Sequence, residues 1–182
     1  MPSPLPNPTH LALHHAHFNL KGFKTWEGRD AQGFQFTLLH EGSPVAQVTE
    51  HGNGGCLRVE WLGVTAHGKP MPIEPTATPA QRKKATAQAA QTVKALAALT
   101  RVINDAPDID VGHGIVVRPN EERVLGMLAE VADIRKLTKK KTVFVEGDKM
   151  FTVAMPYTAE VAAALAAKRP GAVVLNALSV YY

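Results

Sequence analysis

The residues of this chain that could do chemistry are eight histidines, one cysteine and two clusters of lysine and arginine. His15 and His17 stand two apart in a segment where Ala16, Phe18 and Leu20 alternate with polar residues. On a strand such neighbours share a face, so the two imidazoles could ligate one metal ion. A third ligand would have to be recruited by folding, from His10, His14 or His51. The plainer reading is a solvated polar face, and neither a metal nor any other cofactor is expected. Cys56 follows a glycine-rich turn that begins at His51. A thiolate nucleophile needs a base within hydrogen-bond reach and a depressed pKa, and proximity in sequence supplies neither. The alternation from Leu57 to Trp61 instead makes Cys56 the buried, structural first residue of a strand. His51-Gly-Asn-Gly-Gly55 invites comparison with a phosphate loop, but that loop runs on into Gly-Lys-Ser/Thr and a helix. Here Cys-Leu-Arg-Val follows, so the glycines read as a hairpin turn that needs positive φ.

The basic clusters are the remaining candidates. Arg82, Lys83 and Lys84 fall in the first turn of a helix, where the macrodipole opposes cations by about 0.3–1 kcal/mol each. Local stability does not explain them, and an anionic partner would. Lys136, Lys139, Lys140 and Lys141 lie at the end of another helix, where the dipole favours positive charge. If the two runs converge in space they form one stripe suited to a nucleic-acid backbone. No zinc-finger, RRM, KH or homeodomain pattern accompanies them. Trp26, Trp61, Tyr157, Tyr181 and Tyr182 are too scattered to serve as a stacking platform.

Composition bounds these choices. A 45% apolar chain of 182 residues can bury a real core. No apolar run approaches the roughly 20 residues of a bilayer span. The proline-rich start lacks a basic n-region and an apolar h-region, and a single cysteine fits a reducing compartment. A cytoplasmic protein without membrane contact is expected. The net charge of +4 is uneven: residues 1–78 carry five Lys/Arg against six Asp/Glu, residues 79–182 fifteen against ten. Seven of the eight histidines lie in the first part, so acidification acts mainly there.

The elements that must position these residues form an α+β chain. Residues 11–23 read as a first strand and 25–32 as a loop. Gly33–Leu39, Val45–Thr49 and Cys56–Leu62 complete an antiparallel β-meander. Residues 63–78, with Pro70, Pro72 and Pro75, make a linker or a loop crossing the surface. Thr78-Pro79-Ala80-Gln81 carries a capping box and an N1 proline, opening a helix to about Asp105. Its apolar stripe, Ala89, Val93, Leu96, Thr100 and Ile103, should cover the meander, with Val93 and Leu96 in contact. A short strand at Gly114–Arg118 follows, then a helix from Asn120 to about Lys139. A hairpin turning at Gly147-Asp148, a helix from Tyr157-Thr158 to Lys168 and a last strand at Ala172–Leu175 end the chain. The organisation is a proline-rich tail at 1–10 and one domain at 11–182, with a β-rich part at 11–62, the loop at 63–78 and a basic helix and hairpin part at 79–182.

Two stretches resemble a known group. One is Gly33–Trp61, with its Gly-Phe-x-Phe start, Val45-Ala46-x-Val48 strand and Gly52-Asn-Gly-Gly-Cys turn. The other is Lys139-Lys-Lys-Thr-Val-Phe-Val-Glu-Gly-Asp148 with Pro156-Tyr-Thr-Ala-Glu-Val161. Together they are similar to a loosely defined group of uncharacterised bacterial and prophage-associated small proteins. The resemblance implies only a small cytoplasmic protein of the kind that travels on phage or mobile elements. No catalytic residue is implied. No nucleophile, base and orienter, and no carboxylate pair, assembles at informative spacing. The expectation is therefore a non-enzymatic macromolecule-binding protein, with a protein or nucleic-acid partner. The alternatives are a nucleic-acid-associated protein using the basic helix ends, and a small metal-dependent or hydrolytic enzyme built on the histidines.

Overall fold

A computed structural model describes residues 8–110, 115–147 and 149–178, with backbone alone at 109–110. The proline-rich residues 1–7, Gly114, Asp148, Tyr181 and Tyr182 lie outside the described residues. The fold is α+β, with an antiparallel meander at the N-terminal end. Strands β1 (Phe18–Glu27), β2 (Gln32–His40), β3 (Ser43–Glu50) and β4 (Arg58–Trp61) pair in chain order. One face alternates inward through Phe36 and Leu38 of β2 and their partners Val48 and Ala46 of β3, all at most 1% exposed, and Val45 is buried beside a bulge. Bulges between Lys21 and Lys24 and between Leu38 and Leu39 interrupt the register. The loop expected at 25–32 is shorter, at 28–31, because β1 runs on to Glu27, β2 opens at Gln32, and Gly28 N–H donates to the carbonyl of Ala31 to close the turn between them.

The first element corrects the reading of residues 11–23. Pro8–His15 is a helix, α1, and β1 starts only at Phe18. Thr9, His10 and Leu13 are buried at helical spacing, so the polar-apolar alternation belongs to a strand only from Phe18 onward. Residues 8–10 are thus part of a packed helix and not of a tail. His15 ends α1 and His17 lies in the connection with φ 59, so the two do not share a strand face.

Helix α2 (Pro79–Asp105) has the expected capping box: Gln81 N–H donates to Thr78 Oγ1, and Gln81 Oε1 accepts from Thr78 N–H. It packs on the meander, but with a face one residue out of phase with the expected stripe. Ala89, Thr92, Ala95, Leu99 and Val102 are buried, whereas Val93 is 41% exposed. Thr92 is affordable there because its hydroxyl donates to the carbonyl of Leu62 at 2.7 Å. Helix α3 (Glu121–Thr138), N-capped by Asn120, feeds two clusters. Its Val124, Leu125 and Leu128 join the meander and α2, while Val131 and Ile134 meet Val143, Val145 and Leu175. Those last residues belong to β7 (Thr142–Glu146) and a 3-10 turn at Leu175–Ala177. β7 is the centre of a second sheet, between β8 (Lys149–Val153) and β9 (Val173–Val174). A two-residue pair, β5 (Ile109–Asp110) with β6 (Val116–Val117), and helix α4 (Ala159–Lys168) complete the described chain.

Candidate functional site

Residues 63–78 form one wall of a concavity beside α2. Proline cannot donate a backbone hydrogen bond, so the Pro70–Pro75 segment cannot join the sheet and is held by its other groups. Met71 N–H donates to the carbonyl of Gly63, Thr65 N–H to that of Lys69, and Val64 bridges to Pro70. The segment is a strap laid beside α2 and not a free linker. Gly63, with φ +72, is required at its base, because a Cβ there would stand 3.2 Å from the backbone N of Ala89. At its far end Arg82 donates from Nη2 to the carbonyl of Pro75 at 2.7 Å and from Nε to that of Ala77 at 3.0 Å.

Between strap and helix runs an open groove of about 870 Å³. On the strap side it is lined by Pro70, Met71, Pro72 and Ile73, and on the helix side by Ala85, Ala89, Ala90 and Val93. Met71, Ile73 and Val93 are 54%, 39% and 41% exposed, so the lining presents apolar side chains to solvent. From Gln81 to Val93 the groove follows about 18 Å of helix. Alanines on the helix side keep it wide. The basic cluster lies at one end. Arg82 is engaged with the strap, while Lys83 and Lys84 are exposed.

The other expected sites fare differently. Lys136 stands 4.3 Å over the ring of Phe23 and 3.9 Å from Asp133, while Arg82 meets Pro75 and Ala77. The two basic runs thus have no neighbour in common at these positions, and Lys139, Lys140 and Lys141 are exposed. Cys56 is exposed in the loop before β4, not buried in a strand, because pairing with β3 starts only at Arg58. Gly52 and Gly54 do adopt positive φ, as the turn reading requires. His15 and His17 meet His40 around a separate cleft. Among the described residues no group of three His, Cys, Asp or Glu could hold a metal ion. His10 is buried, and desolvation lowers its pKa to about 4. Burial likewise lowers that of His40, with Glu41 opposing and Lys94 and His17 adding to the shift.

Pro70-Met-Pro-Ile73 has no periodicity, so spacing along the chain does not mark the groove residues. The signal that could have found them is two large apolar side chains between prolines, where a solvated loop would carry polar ones. No helix among the described residues is long and apolar enough to cross a membrane. No family model matches the chain, and neither a curated protein nor a solved structure matches it.

Proposed function

We propose that the chain is a protein-binding module whose groove between the strap and α2 takes an apolar segment of a partner chain flanked by acidic residues. The observation that carries this reading is the lining: Met71, Ile73 and Val93 are large, apolar and exposed around one preformed groove. Such surfaces mark interaction sites when they are contiguous. Charge sets the flanks. Lys83 and Lys84 belong to the helix turn between the lining residues Gln81 and Ala85, and Glu74 is the one carboxylate in the lining, so acidic residues at that end of the bound segment suit the charge there. About 18 Å of helix accommodates roughly a dozen residues of a helical segment or half as many extended ones.

A nucleic-acid backbone suits this surface less well. It would want a continuous run of free cations, and here Arg82 is bound to the strap while Lys136 covers Phe23. Selection from a random library of twelve-residue peptides tests the proposal. Enriched sequences should carry apolar residues spaced three or four apart with neighbouring Asp or Glu. Their affinity should fall at least tenfold on Val93→Asp, an exposed position where folding is preserved. Enrichment that ignores Val93→Asp, or salt-dependent retention on DNA in place of peptide binding, would overturn it.

A further inference from the structure

A second cleft, of about 610 Å³, lies where the end of α1, the β2–β3 turn and the outer side of α2 meet. Its floor is apolar and shallow-sided: Ala12, Ala16, Ala97 and Ala98 leave the space that larger residues would fill. Around that floor stand the imidazoles of His15, His17 and His40, the Glu41–Lys94 ion pair, Arg101 and Asp105. Lys94 Nζ reaches both oxygens of Glu41, at 2.8 and 2.7 Å, so these two charges satisfy each other. Arg101 makes no ion pair among the described residues.

The backbone here takes a costly form. His17 and Glu41 are the two non-glycine residues with positive φ among the described residues, at 59° and 50°. Each position has a local reason. His17 follows the end of α1, where chains often turn left-handed, and Glu41 opens a two-residue hairpin whose first position favours Asn, Asp or Gly. Neither residue is the low-cost choice, because a side chain beyond Cβ is strained at positive φ. The two strained residues are also joined directly, Glu41 N–H donating to the carbonyl of His17 at 3.1 Å. Glycine or asparagine would make the same turns with less strain but would remove the imidazole and the carboxylate from the cleft.

We infer that this cleft is a binding site for a small organic anion, a carboxylate or phosphate group on a compact apolar body. The guanidinium of Arg101 offers the planar fork that pairs with an oxyanion. His15 and His17 add ring N–H donors, and the alanine floor receives the carbon skeleton. The volume lies within the roughly 300–1,000 Å³ of small-ligand sites. This site is independent of the groove, since it shares none of the strap residues.

Titration calorimetry of the full chain with benzoate and with phenyl phosphate tests the inference at low ionic strength. At least one should bind saturably with one-to-one stoichiometry, and the tighter of the two identifies the head group. Arg101→Gln should weaken that binding at least tenfold, and His17→Gly should weaken it while leaving thermal stability unchanged or higher. Inorganic phosphate, which has no carbon body, should bind more weakly than phenyl phosphate. No saturable binding of either organic anion at 5 mM (roughly the weak end of ligand affinities), or binding indifferent to Arg101→Gln, would overturn it. Both replaced side chains, His17 and Arg101, are exposed, so circular dichroism should show the fold unchanged.

Discussion

The guanidinium of Arg82 donates to the carbonyl oxygen of Pro75 at 2.7 Å, which fastens the first turn of α2 to the strap before it. A second bond, Nε to the carbonyl of Ala77, fixes the plane of the guanidinium. A cation placed against the helix dipole thus has a local reason: it satisfies two carbonyls that the prolines leave without sheet partners. The energetic argument that pointed to an anion thus rests on Lys83 and Lys84, since Arg82 has partners within the chain.

Replacing the three residues one at a time should separate them. Arg82→Gln should lower stability by about 1 kcal/mol, the net worth of an exposed charge-assisted pair of hydrogen bonds. Lys83→Gln and Lys84→Gln should leave stability unchanged or raise it by up to about 0.5 kcal/mol, because the dipole clash is relieved. Urea midpoints at constant slope measure both. Equal effects from Arg82 and Lys83 would remove the structural role assigned to the Arg82–Pro75 bond.

Asn176 sits at the junction of α3 and the second sheet. Its Oδ1 accepts from Val143 N–H at 2.7 Å, and its Nδ2 donates to the carbonyls of Thr138 and Lys141 at 3.0 and 2.9 Å. Asn176 is 3% exposed, so water cannot readily replace it. Asn176→Ala should cost about 2–3 kcal/mol, since a buried N–H and two carbonyls lose their partner together. Hydrogen exchange should show faster loss of the Val143 amide than of amides in β2. An unchanged Val143 amide would mean that the 3-10 turn is held by packing of Leu175 alone.

Gly28 and Gly52 touch across the end of the meander. A Cβ on Gly28 would stand 2.2 Å from the carbonyl oxygen of Gly52 and 2.4 Å from its Cα, both backbone atoms that cannot swing aside. Gly52 in turn accepts from the N–H groups of Asp30 and Ala31. Gly28→Ala should therefore cost about 1–3 kcal/mol through overpacking and lost turn bonds. Thermal unfolding checks this, and Gly126→Ala, with nothing within 4 Å of the added carbon, is the control that should not destabilise.

What the sequence showed and what it hid follow from how local each signal is. The capping box of Thr78 and Gln81 was readable because it depends on four adjacent residues, and the meander because Phe34, Phe36 and Leu38 alternate along one strand between turn-forming residues. The phase of α2 was not. An alanine-rich helix has little apolar contrast around its circumference, and Thr92 turned inward only because Leu62, thirty residues away, supplied an acceptor. α1 was hidden because its short apolar run joins a strand without a break in composition. The two sites share this property. The groove needs Gly63 against Ala89, and the cleft needs His17 beside Glu41; both are contacts that spacing in the chain does not encode.

Acid should destabilise the fold through His10. Its side chain is packed in α1, with 7% of the residue exposed, and desolvation puts its folded pKa at about 4 against 6.5 for a free histidine. The neutral ring is thus the form that the fold accepts. Above pH 6.5 both folded and unfolded chains hold it neutral and its full contribution is present. Between pH 6.5 and 4 the unfolded chain takes up a proton that the folded chain refuses, and stability falls with pH. Below about pH 4 both forms are protonated and this loss stops growing. The shift corresponds to about 3 kcal/mol over the window. His40 is depressed in the same direction, by burial first, and adds to the fall below pH 6.5. Urea unfolding at pH 7.0, 5.5 and 4.5 should show the decline, and His10→Gln should flatten it by removing the titrating ring. A decline of unchanged steepness in that variant would assign the acid sensitivity to His40 and the carboxylates instead.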